Sequence, residues 1–280
     1  MIEPEPLQQI DRTYVLWRRR KLSYFSGCDY FRLSSHPKVI AAISDGLKRY
    51  GLSVAASRMT TGNHKLYRQL EERLARFFQT EAALVVSSGY VANLAVAQAL
   101  AGRFSHVLID EVSHPSLGDA AAILECPVLK FRHQSLSDLR TTVQRCGPGS
   151  KLILLTDGMF SRDGSVAPLN EYLKVLPKDA AILVDDAHGA GILGAHGRGS
   201  LEHTEANRRR VIQTITLSKA VGAYGGAILD QFGLSRTRSR SSDLSEVDSL
   251  RSKEAEALRP CWTQPDSAAV VRTRDHTFFT

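Results

Sequence analysis

Apolar residues recur along the chain in two rhythms. Between Pro37 and Tyr50 they fall at helical spacing as Val39, Ile40, Ile43 and Leu47, and from Leu66 to Phe78 as Leu66, Leu70, Leu74 and Phe77. Two amphipathic helices are predicted, separated by Ser53–His64, a run of small residues ending in Thr60-Thr61-Gly62-Asn63 that reads as a loop. The second rhythm alternates short apolar runs with helical stretches: Ala83–Ser87 as a strand, Tyr90–Ala101 as a helix, Val107–Asp110 as a strand, Ser116–Leu124 as a helix, Val128–Phe131 as a strand. Further strands are expected at Leu152–Thr156, Ala181–Asp185 and Val211–Thr216. Strands separated by helices imply an α/β fold with a mostly parallel sheet covered on both faces, because right-handed crossovers place the helices there. In such a sheet ligands gather beyond the carboxyl ends of the strands. From Gln231 onward the alternation stops, and a divergent, poorly ordered tail is expected over 231–280.

Composition narrows the class without naming it. A chain of 280 residues with 43% hydrophobic content has ample material for a buried core. No stretch approaches the roughly 18 apolar residues of a membrane span, and the N-terminal MIEPEPLQQI lacks a leader pattern, so no membrane span and a cytoplasmic location are expected. Cys28, Cys126, Cys146 and Cys261 are scattered, which argues for reduced thiols rather than a zinc or redox motif. The net charge of +7 is spread out, apart from Arg18–Lys21 and Arg208–Arg210, and the last fifty residues nearly balance. It suits an anionic metabolite as well as nucleic acid, and no nucleic-acid partner is expected.

Two strand ends carry the chemistry. Val184-Asp185-Asp186-Ala187-His188-Gly189 closes one strand with an acid and a histidine three residues apart; Thr216-Leu217-Ser218-Lys219 closes the next, followed by Gly222, Gly225 and Gly226. Those glycines would let backbone approach a ligand and leave Lys219 in a mobile loop. Taken singly, an Asp at a strand end is a helix cap, a His is a hydrogen-bonded structural residue and a Lys is solvated; their joint order is the signal. His114, Asp185 and His188 could also be ligands of a hydrolase metal, a reading that leaves Lys219 without a purpose.

The segments SSGYVAN, DEVSHPSL, DGMFSRDGSVAPL, VDDAHGAGILGAHGRGS and TLSKAVGAYGG, with SGCDYFRLSSHP and SRMTTGNHKLYRQLEERLA upstream, resemble the successive motifs of the α-oxoamine synthase family from about Tyr24 to Leu229. The resemblance implies the large domain of the pyridoxal 5'-phosphate (PLP) transferases of fold type I, with an N-terminal segment and helix over 1–50 and the PLP-binding domain over 51–230. It implies that Lys219 holds the cofactor as an imine and moves protons at the substrate α-carbon. Asp185 would face the ring nitrogen, His188 the phenolic oxygen, and His114 would stack on the ring with Ala187 on the opposite face. Gly89 and Tyr90 would hold the phosphate at a helix N-terminus, and Ser161 and Thr216 would add contacts, with capping as the competing role for both. The implied activity is decarboxylative condensation of a small amino acid with an acyl-CoA by a homodimer, biotin-precursor synthesis from alanine being the commonest family role. The competing expectation is a truncated, non-catalytic PLP-binding remnant or partner subunit, since the family's small C-terminal domain has no counterpart after Leu229. Asp157 stands where the family commonly has Glu, and Arg32 where it has Gly.

Overall fold

A computed structural model of the chain describes residues 5–230 except Arg12 and Met59. The expected tail and Cys261 lie outside the described residues. A small antiparallel sheet comes first, β1 (Gln8–Gln9), β2 (Tyr14–Trp17) and β3 (Arg20–Ser23), followed by helices α1 (Pro37–Tyr50) and α2 (Lys65–Phe78). Then come β4 (Ala82–Val86), α3 (Gly89–Leu100), β5 (His106–Asp110), α4 (Pro115–Ile123), β6 (Val128–Phe131) and α5 (Leu136–Arg145). The remainder is β7 (Leu152–Asp157), α6 (Leu169–Val175), β8 (Ala181–Asp185), α7 (Ser200–His203), β9 (Val211–Thr216) and β10 (Gly226–Asp230).

Among the described residues, seven strands form the main sheet in the order β4-β10-β9-β8-β7-β5-β6. Pairing is parallel from β6 through β9, and β10 runs antiparallel to both β9 and β4, so the sheet is mostly parallel as expected. Every residue of β7, β8 and β9 is buried, as central parallel strands covered on both faces require. The two-residue period of a strand divides these side chains between two cores. Leu152, Leu154, Ile182 and Val184 pack with Leu139 of α5 and Tyr172 of α6. Ile153, Leu155, Ala181 and Leu183 pack with Val96 and Ala97 of α3 and with Leu117 and Ala120 of α4. That register fixes which side chains emerge at the carboxyl edge, because a one-residue slip would exchange the faces. At that edge Asp157 and Asp185 are direct cross-strand partners. Among the described residues, no helix is long and apolar enough to cross a membrane.

Arg32 adopts φ 53 and ψ 34, the left-handed region that favours glycine. Its departure from the family's Gly therefore has a backbone cost, and its guanidinium bonds Thr13 Oγ1 at 2.7 Å on the surface. Arg32→Gly should raise stability by about 1 kcal/mol in equilibrium urea unfolding, because relief of left-handed strain outweighs the surface contacts of its side chain.

Candidate active site

The site is assembled where β5, β7, β8 and β9 end and α3 and α4 begin. Asp185 closes β8, and its carboxylate is held from two sides. The Ala187 N–H donates to Oδ1 at 3.1 Å, and Asn93 Nδ2 on α3 donates to Oδ2 at 2.6 Å. Asn93 is itself oriented: it accepts from Thr214 Oγ1 at 2.6 Å and donates to Ser116 Oγ at 2.9 Å. Both Asn93 and Ser116 are fully buried, so each polar contact is made away from competing water.

Ser116 connects this acid to His114. The His114 ring caps α4, its Nδ1 accepting the Ser116 N–H at 3.2 Å with the Ser116 hydroxyl 2.7 Å away. Nδ1 must then be unprotonated, which puts the neutral ring's proton on Nε2. The His114 backbone N–H donates to Asp157 Oδ2 at 2.8 Å, tying the end of β7 to the start of α4. Burial first, then the Asp185 carboxylate, pushes the Asp157 carboxyl up to about 8.

Lys219 Nζ lies 2.7 Å from His188 Nε2, and the Tyr30 hydroxyl lies 2.6 Å from His188 Nδ1. Burial lowers the Lys219 pKa, opposed by nearby acids of which Asp185 is the largest. Burial also lowers His188, to about 4, with the charge of Lys219 adding to it. At neutral pH His188 is therefore an uncharged ring with one N–H to place.

The turn bearing Lys219 is hydrogen-bonded rather than slack. Gly222 N–H donates to the Lys219 carbonyl at 3.0 Å, Ala223 N–H to Leu217 at 2.8 Å, and Ser218 N–H to Thr216 Oγ1 at 3.2 Å. Its glycines serve close packing: a Cβ on Gly222, at φ +65, would sit 2.3 Å from the Ser34 nitrogen. A Cβ on Gly226 would sit 2.5 Å from the Ser88 carbonyl carbon, and one on Gly89 would sit 2.9 Å from Thr216 Cβ. The start of α3 is thus pressed onto β9 and β10. Gly89 and Tyr90 precede the first intrahelical bond there, from Ala92 N–H to the Ser88 carbonyl, so their N–H groups face outward from the helix end. The Tyr90 hydroxyl donates to Asp119 Oδ2.

Asp186 secures the same corner from behind. Fully buried, it accepts from Ser200 N–H at 2.9 Å and Gln213 Nε2 at 2.6 Å, and Gly158, Gly189 and Gly199 close around its oxygens. A Cβ on any of the three would collide with the carboxylate, which explains Gly189 and Gly199 in the sequence after His188.

Lys219 and His188 are brought into contact; Asp185, Ser116 and His114 form a second connected group, with Ala187 joining them through its N–H. Thr216 is engaged in capping its own turn, the competing role named for it. Ser161 lies exposed in the turn after β7, and among the described residues no hydrogen bond joins it to the other candidates. Among the described residues no three His, Cys, Asp or Glu side chains gather as a group able to hold a metal ion, and His188 faces Lys219. Sequence reading missed Asn93 and Tyr30. Asn93 left a signal, an isolated amide in the apolar helix sequence GYVANLAVAQAL.

The chain belongs to the aminotransferase class I and II family, which it matches over residues 26–232. Within that class its relatives are those the motifs suggested. It is 42% identical to the 8-amino-7-oxononanoate synthase of Thioalkalivibrio sulfidiphilus over 225 residues, 80% of this chain and 57% of that protein. The fold superposes on the serine palmitoyltransferase of S. paucimobilis, solved with PLP and myriocin, at a TM-score of 0.75 and 27% identity, covering 91% of this chain and 66% of that one. For the Sphingomonas wittichii serine palmitoyltransferase the values are 0.76 and 28%, over 95% and 68%. The chain spans little more than half the length of the 8-amino-7-oxononanoate synthase it matches.

Proposed function

We propose that this chain carries the cofactor-binding part of a cytoplasmic, homodimeric PLP-dependent acyltransferase that joins a small amino acid to an acyl-CoA with loss of carbon dioxide. Among specific activities the 8-amino-7-oxononanoate synthase type ranks first, on the relative of that name. The observation that carries the reading is the Lys219 amine: half-buried, lowered in pKa and 2.7 Å from His188 Nε2. A lysine so placed is activated for attack on an aldehyde, since burial favours its uncharged form.

The residues fit the cofactor. Lys219 would bind its aldehyde carbon, Asp185 its ring nitrogen and His188 its phenolic oxygen, with His114 and Ala187 on the two ring faces. The outward N–H groups of Gly89 and Tyr90 suit a phosphate, and Thr216 and Ser161 are the remaining contacts of the reading. PLP supplies an electron sink for the charge left at the substrate α-carbon. The protein's own part is to fix the Asp185 carboxylate through Asn93, to keep His188 neutral, and to let the Lys219 amine accept and return a proton. The dimer is supported by α1, which leaves Ile40, Ile43 and Leu47 between 45% and 50% exposed along one face.

Titrating the protein with PLP tests the reading. Wild type should develop the absorbance band of lysine-bound PLP near the visible edge, and borohydride reduction should leave the pyridoxyl mass on Lys219. In Lys219→Ala the band should be lost. A band that survives in the variant, or a label on another lysine, would overturn the assignment. Binding without turnover across amino acids and acyl-CoAs would favour a partner subunit.

A further inference from the structure

Tyr30 belongs to no motif role assigned above, yet its hydroxyl, which also meets the Cys28 side chain, joins a chain from Tyr30 Oη to His188 Nδ1 at 2.6 Å and from His188 Nε2 to Lys219 Nζ at 2.7 Å. The contact is polar rather than a ring stack, since the Tyr30 and His188 centroids are 6.3 Å apart and tilted by 55°. From this geometry we propose that Tyr30 is a positioning residue for the proposed PLP site, holding the His188 ring so that Nε2 is presented to Lys219. The inference rests on the reading of Lys219 given above.

Two further observations explain how a residue from the N-terminal segment reaches the sheet edge. Its turn is knotted by Asp29, whose carboxylate accepts the Leu33 N–H at 2.9 Å, the Ser34 N–H at 3.2 Å and the Ser34 hydroxyl at 2.5 Å. That knot is docked on the Lys219 turn at Gly222, where even a methyl group would strike Ser34. The Tyr30 and Lys219 turns are therefore packed as one unit, with His188 between them.

A hydroxyl is what this position needs. An ammonium at Lys219 can only donate, which makes Nε2 an acceptor and Nδ1–H a donor to the phenol oxygen. An uncharged Lys219 amine can accept from Nε2–H, and Nδ1 then accepts from the phenol O–H. Tyr30 satisfies either tautomer because one hydroxyl both donates and accepts; a phenylalanine edge satisfies neither. The ring can thus change which nitrogen carries its proton without changing its orientation.

Nitrogen-15 NMR of His188 in the PLP-free protein, labelled at histidine, tests this directly. In wild type, Nδ1 should show the shift of a hydrogen-bonded nitrogen, whichever tautomer the charge on Lys219 sets. Tyr30→Phe should move the Nδ1 shift to that of a nitrogen without a hydrogen-bond partner, and its Kd for PLP should rise about tenfold. Unchanged His188 shifts in Tyr30→Phe would overturn the proposal, as would a wild-type Nδ1 shift free of hydrogen bonding, a measurement that needs no variant. Failure of the function reading looks different: a PLP band unaffected by Lys219→Ala would remove that reading while the ring signals still judged Tyr30.

Discussion

In Asp185→Asn, exchange of the alanine α-proton for solvent deuterium should slow by about 10²–10³-fold at saturating PLP, the usual cost of removing one preorganised electrostatic partner. In the proposed reaction this half needs only the amino acid and the cofactor, so it would isolate carbanion formation from the acyl-CoA step. The substitution keeps the shape but removes the negative charge, and it places an amide where two donors already converge. Asn93 Nδ2 and the Ala187 N–H approach opposite oxygens at 2.6 and 3.1 Å, so one of them must face an NH₂ group. A stability loss of about 1–3 kcal/mol should accompany the kinetic effect, as for any buried donor left without an acceptor. Proton-exchange rates within threefold of wild type, in protein shown by absorbance to hold PLP, would remove Asp185 from the proposed role.

The parts of this architecture that the sequence disclosed are those where one physical demand dominates. β7, β8 and β9 are buried on both faces, so they read as unbroken apolar runs, and their bounds at Ala181–Asp185 and Val211–Thr216 were legible to the residue. The α1 bounds were legible for a different reason: Pro37 at its first position and Gly51 just beyond its end punctuate the periodic stretch. The β2–β3 hairpin was not, because its turn is made by Arg18 and Arg19, both at positive φ, where Asn-Gly is the usual signature. α5 was obscured by polar composition, although Ser135 caps it by accepting the Asp138 N–H and Leu139 anchors its buried face. β10 begins at Gly226 and runs against its neighbours, which an alternation of strands and crossover helices does not anticipate.

The site divides along the same line. Lys219, Asp185, His188 and His114 could be named as candidates from the sequence because they lie at or just past strand ends within recognisable motifs. Asn93 and Tyr30 meet other residues of the candidate site, and although an amide in an apolar helix marks Asn93 as unusual, nothing local says which neighbour more than ninety positions away it meets. Arg32 shows the reverse case, a local departure whose physical meaning emerged only from its backbone angle.

Asp157 offers the second large effect, on stability rather than rate. It shares the sheet edge with Asp185 as its direct partner in register, and burial together with that neighbour raises its carboxyl from the ordinary 3.8 to about 8. The folded chain therefore binds a proton that the unfolded chain has released throughout that window, and stability must fall as pH rises from about 4 toward 8. In PLP-free protein at pH 7 the accumulated cost is roughly 4 kcal/mol, from about 1.4 kcal/mol for each pH unit above the ordinary value. Asp157→Asn cannot ionise, yet its carbonyl can still accept the His114 N–H that Asp157 Oδ2 now holds at 2.8 Å. Its urea midpoint should therefore match wild type near pH 4 and exceed it by a margin that widens up to pH 8, then stays level. A margin that is flat across this range would mean that Asp157 titrates in the folded chain as it does in the unfolded one, and that the paired acids at the sheet edge impose no cost.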